Sequence, residues 1–239
     1  MLVAIHQLHY LPWLRYIHKM ASADVFVILD NIQFNKNGWQ NRNKIKTAEG
    51  SQILTVPVFH KSSQNLDEVL IDNKPPWRKK HWSSLCHHYG KAPFFREHAV
   101  FFQKIFETPW EKLNDLNYEI LQYLISVLGV KTKVVRGSDL DIDGEATERL
   151  VHICKLLGAK GYLTGAYAAE TYLDSKVFAR EGVELVMQNY ECPPYPQLYP
   201  KTGFVPDLSV VDLLFNCGPK SLEILLRQFC SERAKEGQP

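Results

Sequence analysis

The chain lacks most of the features that announce a protein class at once. No stretch approaches eighteen consecutive apolar residues, and the opening "MLVAIHQLHY" has no basic segment leading into an apolar one. Neither a membrane span nor a secretory signal is therefore expected, and the expected location is the cytoplasm. Cysteine is scarce and poorly spaced. Cys86, Cys154, Cys192, Cys217 and Cys230 are odd in number, far apart and without a C-x-x-C pair, which argues against a disulfide framework or a cysteine zinc site and predicts reduced, structural thiols. Charge of one sign is also missing: 28 basic against 26 acidic residues leave a formal net charge of +2, too little for a global attraction to nucleic acid or a membrane surface. There is no G-x-G-x-x-G fingerprint, no phosphate-binding P-loop, no internal repeat and no low-complexity run, so a dinucleotide or Walker-type site has no support.

What is present is ordinary in bulk and specific in places. A chain of 239 residues, 45% hydrophobic and 23% charged, can bury one large α/β core. "LVAI" reads as a buried strand, Pro12 to about Ala21 as a helix with Leu14, Ile17 and Met20 on one face, and "DVFVIL" as a second buried strand. Strand, helix, strand in about thirty residues is a parallel βαβ unit. "SQILTVPV" reads as a third strand with Pro57 at its edge. From about Pro76 to Val130 the pattern turns helical, and Leu113, Leu116, Ile120, Tyr123 and Leu124 line one face. Strands and helices then alternate again through "TKVVRG", "ATERLVHICKLLGA", "GYLTG", "AETYLDSKVFAREG" and "ELVMQNY". A proline- and tyrosine-rich loop and two helices, "SVVDLLFN" and "PKSLEILLRQFCSERAK", close the chain. The expectation is a single domain over residues 1–239, built as an open, mostly parallel sheet flanked by helices, with a helical insertion or subdomain over 76–130.

In such sheets ligands bind beyond the carboxyl ends of the strands. His6, Gln7, His9 and Tyr10 lie there, between the first strand and its helix, where orphan backbone N–H groups favour an anion and an imidazole can move a proton. H-x-x-H at this turn invites comparison with the H-x-G-H turn of nucleotidyl-transferring α/β folds, with Leu8 where glycine would stand. After the second strand, "LDNIQFNKNGWQNRNKIK" carries Asp30, Gln33, Lys36, Asn37, Trp39, Gln40, Asn41, Arg42 and Lys44. Amides, cations and an indole face together suit a polar ligand such as a sugar nucleotide. A solvated loop is the competing reading. His81 and His88 have no acidic third ligand nearby, so no metal is expected. Gly90 is a candidate C-cap, Asp207 or Ser209 a candidate N-cap, Asp212 a first-turn dipole partner, and "CPPYPQLYP" a candidate wall over the pocket.

The stretch "HQLHYLPWLRYIHKMASADVFVILDNIQFNKNGWQNRNKIK", with "YGKAPFF" and "YPQLYPKTGFVPDLSVVDLLFNCGP", resembles the WbqC-like family of bacterial proteins over essentially the whole chain. The usual opening is closer to H-Q-P-x-Y-L-P-W-x-G-Y, so Leu8 replaces a proline and Arg15 a glycine. The resemblance implies a place in O-antigen, lipopolysaccharide or related small-molecule biosynthesis and an amino-acyl transfer, glycine included, onto an amino sugar. Combined with the residues, it points to a transferase with His6 or His9 as base and Asp30 as orienter. Lys36, Arg42 and Lys44 would hold phosphate, and Gln7, Gln33, Gln40 and Asn41 would read hydroxyls, with Tyr10 and Trp39 lining the site. No cofactor is implied. The acyl donor is left open between aminoacyl-tRNA, a carrier-protein thioester, coenzyme A and free amino acid plus ATP. Two alternatives stand beside this: nucleotidyl transfer or ATP-dependent carboxylate activation at the His6/His9 turn, and a non-catalytic binding or assembly protein.

Overall fold

The structure, a computed structural model, describes residues 1–227 except Asn37, Ser62 and Tyr172. Cys230 and the end of the expected last helix lie outside the described residues. The chain opens with β1 (Leu2–Gln7), α1 (Leu14–Ala21) and β2 (Val25–Leu29). The antiparallel pair β3 (Arg42–Thr47) and β4 (Gly50–Thr55) follows, then the short pair β5 (Val58–Phe59) and β6 (Leu70–Ile71). Three helices come next, α2 (Trp77–Tyr89), α3 (Phe95–Glu107) and α4 (Leu113–Leu128), before β7 (Lys133–Arg136) and α5 (Ala146–Leu156). The remainder is β8 (Gly161–Thr164), α6 (Ala166–Thr171), α7 (Ser175–Arg180), β9 (Glu184–Met187) and α8 (Val210–Cys217).

Five strands form one parallel sheet in the order β7-β2-β1-β8-β9, an α/β architecture. Every residue of β2 is buried, which is what "VFVIL" requires when helices cover both faces. Ala4, Phe26, Ile28 and Leu163 pack on one side with α1, α8 and the helices α2 to α4. Val3, Ile5, Val25, Val27 and Tyr162 pack on the other with Leu150, Val151 and Ile153 of α5 and Phe178 of α7. The chain lays down β1, β2 and β7 toward one edge, then returns to place β8 and β9 on the other side of β1. The order therefore reverses between β1 and β8, and such a reversal leaves a crevice at the carboxyl ends of those two strands. The pairing shows where it opens: β1 stays in register with β2 as far as Gln7↔Leu29 but with β8 only as far as Ala4↔Leu163.

Three local expectations are corrected. "SQILTVPV" does supply a strand, β4, but it pairs with β3 outside the main sheet. β3 itself occupies residues read as part of a polar loop. Its buried positions include Asn43 and Lys46 rather than apolar residues alone, which hid the two-residue period. Asn43 is held there by donating from Nδ2 to the carbonyl of Leu11 at 2.7 Å, and the turn to β4 uses Gly50 at φ 123°. "AETYLDSKVFAREG" is two short helices, because Asp174 caps α7 by accepting from the backbone N–H of Lys176. Of the two candidate caps, Ser209 caps α8, and Asp212 lies in its first turn, fully buried and accepting a hydrogen bond from the Tyr89 hydroxyl at 2.8 Å.

Candidate functional site

His6 leaves β1 on the same side as Ala4, toward α1, and the turn after it brings His9 back against it. The two imidazoles meet edge to face with ring centroids 4.6 Å apart, and Tyr16 of α1 packs on both, at 5.0 Å from His6 and 5.2 Å from His9. Pro12 and the extended Trp13 start α1 so that Tyr16 and Lys19, three residues apart, lie over the end of β1. His9 is only 3% exposed and Tyr16 only 2%. Neither His9 Nδ1 nor the Tyr16 hydroxyl has a hydrogen-bond partner among the described residues. Buried polar atoms are rarely left so, and these two belong to rings packed against each other at the switch point.

Burial sets the protonation of this cluster. Loss of hydration, reinforced by the nearby Lys19 ammonium, pulls His6 down to about 3. Burial and the neighbouring His6 hold His9 well below its ordinary value, and burial pushes Tyr16 up. At neutral pH the site offers two neutral imidazoles and a protonated phenol, a set able to accept one proton and donate another. Burial also lowers Lys19 to about 8.

An aromatic path leads outward from the histidines. His9 lies 6.1 Å from the ring of Trp13, and Trp13 lies 4.8 Å from the ring of Trp39. The cations of Arg42 and Lys44 sit 5.9 Å and 5.6 Å from the centre of the Trp39 ring. Trp39, Arg42 and Lys44 are half-buried, so this shelf is open to solvent.

The other expected site residues divide clearly. Gln7 accepts from Gln40 Nε2 at 2.7 Å, Gln40 accepts from the Asn35 N–H, and Asn117 holds the Gln40 carbonyl. Tyr10 is fully buried, donates or accepts with His81 Nδ1 at 2.8 Å, and gives its N–H to the Trp39 carbonyl. Asn41 is buried and donates to the Val56 carbonyl. Tyr10 and Gln40 thus clamp the two site stretches together from inside, while Asn41 ties the second stretch to the end of β4. Gln33 and Lys36 are exposed, and Gln33 bridges to Asn65, away from the imidazoles. Asp30 is bound elsewhere: its carboxylate takes bonds from Arg136 Nε at 2.7 Å and from the N–H and hydroxyl of Ser138, and none joins it to His6 or His9. Its partners hold it ionised, below its ordinary value against the opposing effect of burial, as a brace between β2 and β7. The expected loop wall is fastened by Lys46, whose Nζ donates to Gln197 Oε1 at 2.9 Å and to the Gly203 carbonyl.

A family model of the WbqC-like protein family matches residues 7–224, from the histidine turn past the end of α8. The chain belongs to the WbqC-like family. It is also 36% identical over 237 residues to a Mycobacterium tuberculosis (strain ATCC 25618 / H37Rv) protein, "Uncharacterized protein Rv1507c", with 96% of this chain and 99% of the relative covered. No solved structure matches. Among the described residues, no helix is long and apolar enough to cross a membrane. The two departures from the family's usual opening have structural roles here. Leu8 is fully buried in the core, and Arg15 pairs with Asp207 at 3.7 Å and covers the Tyr190 ring at 5.1 Å, tying α1 to the closing loop. Tyr16 and Lys19 are not among the residues that the sequence pattern singles out. The available signal was their three-residue spacing on the flank of a helix that starts immediately after the histidines.

Proposed function

We propose that this WbqC-like protein is a transferase that moves an acyl or amino-acyl group, glycine among the candidates, onto the amine of an amino sugar carried as a nucleotide. The reading places it in surface-polysaccharide or related small-molecule biosynthesis. The observation that carries it is the continuous path from two neutral imidazoles at the switch point, His9 buried and His6 half-buried, to the Trp39, Arg42 and Lys44 shelf. The shelf suits a nucleotide, with its base against indole and its phosphates on the two cations. The sugar amine then points toward His6 and His9. Its nitrogen attacks the acyl carbonyl carbon, a C–N bond forms, and the electron pair moves to the carbonyl oxygen, where the Tyr16 hydroxyl is the available donor. The nitrogen of that tetrahedral intermediate is far more acidic than a free ammonium, so a weakly basic neutral imidazole can take its proton and pass it to the departing oxygen or sulfur of the donor.

A second reading is supported by the position of the turn. β1, central in the order β7-β2-β1-β8-β9, is followed by H-x-x-H at the strand-to-helix position that the H-x-G-H turn holds in nucleotidyl-transferring α/β folds, which favours nucleotidyl transfer or ATP-dependent carboxylate activation at the same turn. It is an analogy of position, and a shared fold hosts many reactions. A thermal-shift panel separates the two, because a ligand that binds only the folded state raises the midpoint. Stabilisation by an aminated sugar nucleotide over its hydroxyl analogue supports the acceptor site, and ATP alone favours the second reading. Silence across the panel removes the sugar-nucleotide site. Under the transferase reading His6→Ala and His9→Ala lose turnover but keep the fold; a wild type without turnover whose ligand affinity survives both changes is a binding protein.

A further inference from the structure

Among the described residues two lysines are buried, and they are not alike. Lys46 is surrounded by acceptors, with Gln197 Oε1 at 2.9 Å, the Gly203 carbonyl and the charge of Asp212 close by. Lys19, 6% exposed, has one: its Nζ donates to the Ile5 carbonyl at 3.1 Å. The face of the Tyr162 ring lies 5.5 Å away, and no carboxylate among the described residues is within ion-pair distance. The carboxyl end of α1 offers only a partial negative charge. An ammonium is almost never buried without a counter-charge, because the lost hydration is not regained from one carbonyl and a ring.

Its position explains what the missing counter-charge would be. Ile5 belongs to β1 and Tyr162 to β8, and these strands cease to pair at Ala4↔Leu163. The ammonium therefore bridges the two strands where the sheet order reverses, beside half-buried His6. We infer that Lys19 forms the floor of an anion subsite in the fork between β1 and β8, taking a phosphate or carboxylate oxygen of the substrate that reacts at His6 and His9. This rests on the switch-point crevice being the ligand site, and not on which group is transferred there. Arg42 and Lys44, on the far side of Trp13 and Trp39, serve a separate part of the ligand.

The test compares wild type with Lys19→Met, which keeps helix propensity and much of the volume, and with Lys19→Gln should the first fail to fold. Thermal shift and titration calorimetry at constant ionic strength use inorganic pyrophosphate in one arm and acetate or glycine in the other. The expected result is saturable stabilisation of wild type in one arm, with affinity at least about tenfold weaker in Lys19→Met. A pyrophosphate response assigns the subsite to a phosphate, and an acetate or glycine response to a carboxylate. Equal anion affinity in both proteins overturns the assignment, as does an unresponsive wild type with a destabilised Lys19→Met, which would make Lys19 a strap on the Ile5 carbonyl. An anion response lost in Lys19→Met, in a protein that turns over no amino sugar nucleotide, retains the subsite and removes the transferase reading. Unimpaired anion binding with turnover does the reverse.

Discussion

Lys19→Met should change how stability depends on alkaline pH, and the size of the change follows from the burial of the ammonium. Its ordinary value of 10.5 falls to about 8 in the folded chain, chiefly through lost hydration. Between those two values the unfolded chain holds a proton that the folded chain has released, so wild-type stability rises with pH across that window. The difference is about 2.5 pK units, and at 1.36 kcal/mol per unit it amounts to about 3 kcal/mol, an upper figure because the denatured chain is itself partly collapsed. His6, beside Lys19, is neutral throughout this range, and Tyr162, the other titratable side chain against the ammonium, is present in both proteins. Lys19→Met removes the titration. At pH 7, where wild type still buries the charge, the variant should match or exceed wild-type stability, since a desolvated cation with a single acceptor is exchanged for an apolar side chain. The assay is urea unfolding of both proteins at intervals from neutral pH to about 10.5, read as the difference in stability at constant slope. Wild type should gain on the variant by up to about 3 kcal/mol as the pH rises. Parallel curves over the window, or a variant destabilised by more than about 1 kcal/mol at pH 7, would refute the claim that Lys19 is a buried charge awaiting a partner.

The other predictions concern acid, the core and the closing loop. His6 is pulled down to about 3, His18 and His81 to about 4, and His9 lies well below its ordinary value, all mainly through burial. As pH falls below 6.5 the unfolded chain protonates first, so stability present above that value should be lost toward pH 4; a flat denaturation midpoint over this range contradicts it. Leu8→Ala should cost about 2–5 kcal/mol in chemical denaturation, because Leu8 is fully buried, whereas a loss within 0.5 kcal/mol would mean that the turn is not packed as described. Tyr89→Phe removes the hydroxyl that donates to buried Asp212 and accepts from the Lys46 N–H. It should destabilise by about 1–3 kcal/mol, and protease cutting within residues 191–207 should quicken, which mass spectrometry would detect.

Periodicity made the parallel core legible before any coordinates. "LVAI", "DVFVIL", "TKVVRG" and "GYLTG" are short apolar runs bounded by breakers, and each became a strand of the sheet. The place of the histidine turn at the carboxyl end of β1 was legible too, because "LVAI" ends immediately before His6. β3 was not, since its inward positions include Asn43 and Lys46, and polar side chains can face inward only where tertiary partners satisfy them. The roles within the site were likewise beyond local pattern. Whether Asp30 orients an imidazole or braces β7 depends on Arg136 and Ser138, more than a hundred residues further on. Likewise, Asp212 reads as a first-turn dipole partner, and only Tyr89, brought against it by the fold, shows that it is also a buried acceptor. By itself, the sequence determined the element types of the central sheet, because those follow from side-chain hydrophobicity and spacing along the chain, and its opening and closing stretches carried the likeness to the family. Only the tertiary structure decided the strand order, the reversal at β1 and β8, and the isolation of Lys19, because burial and charge pairing are properties of neighbours in space.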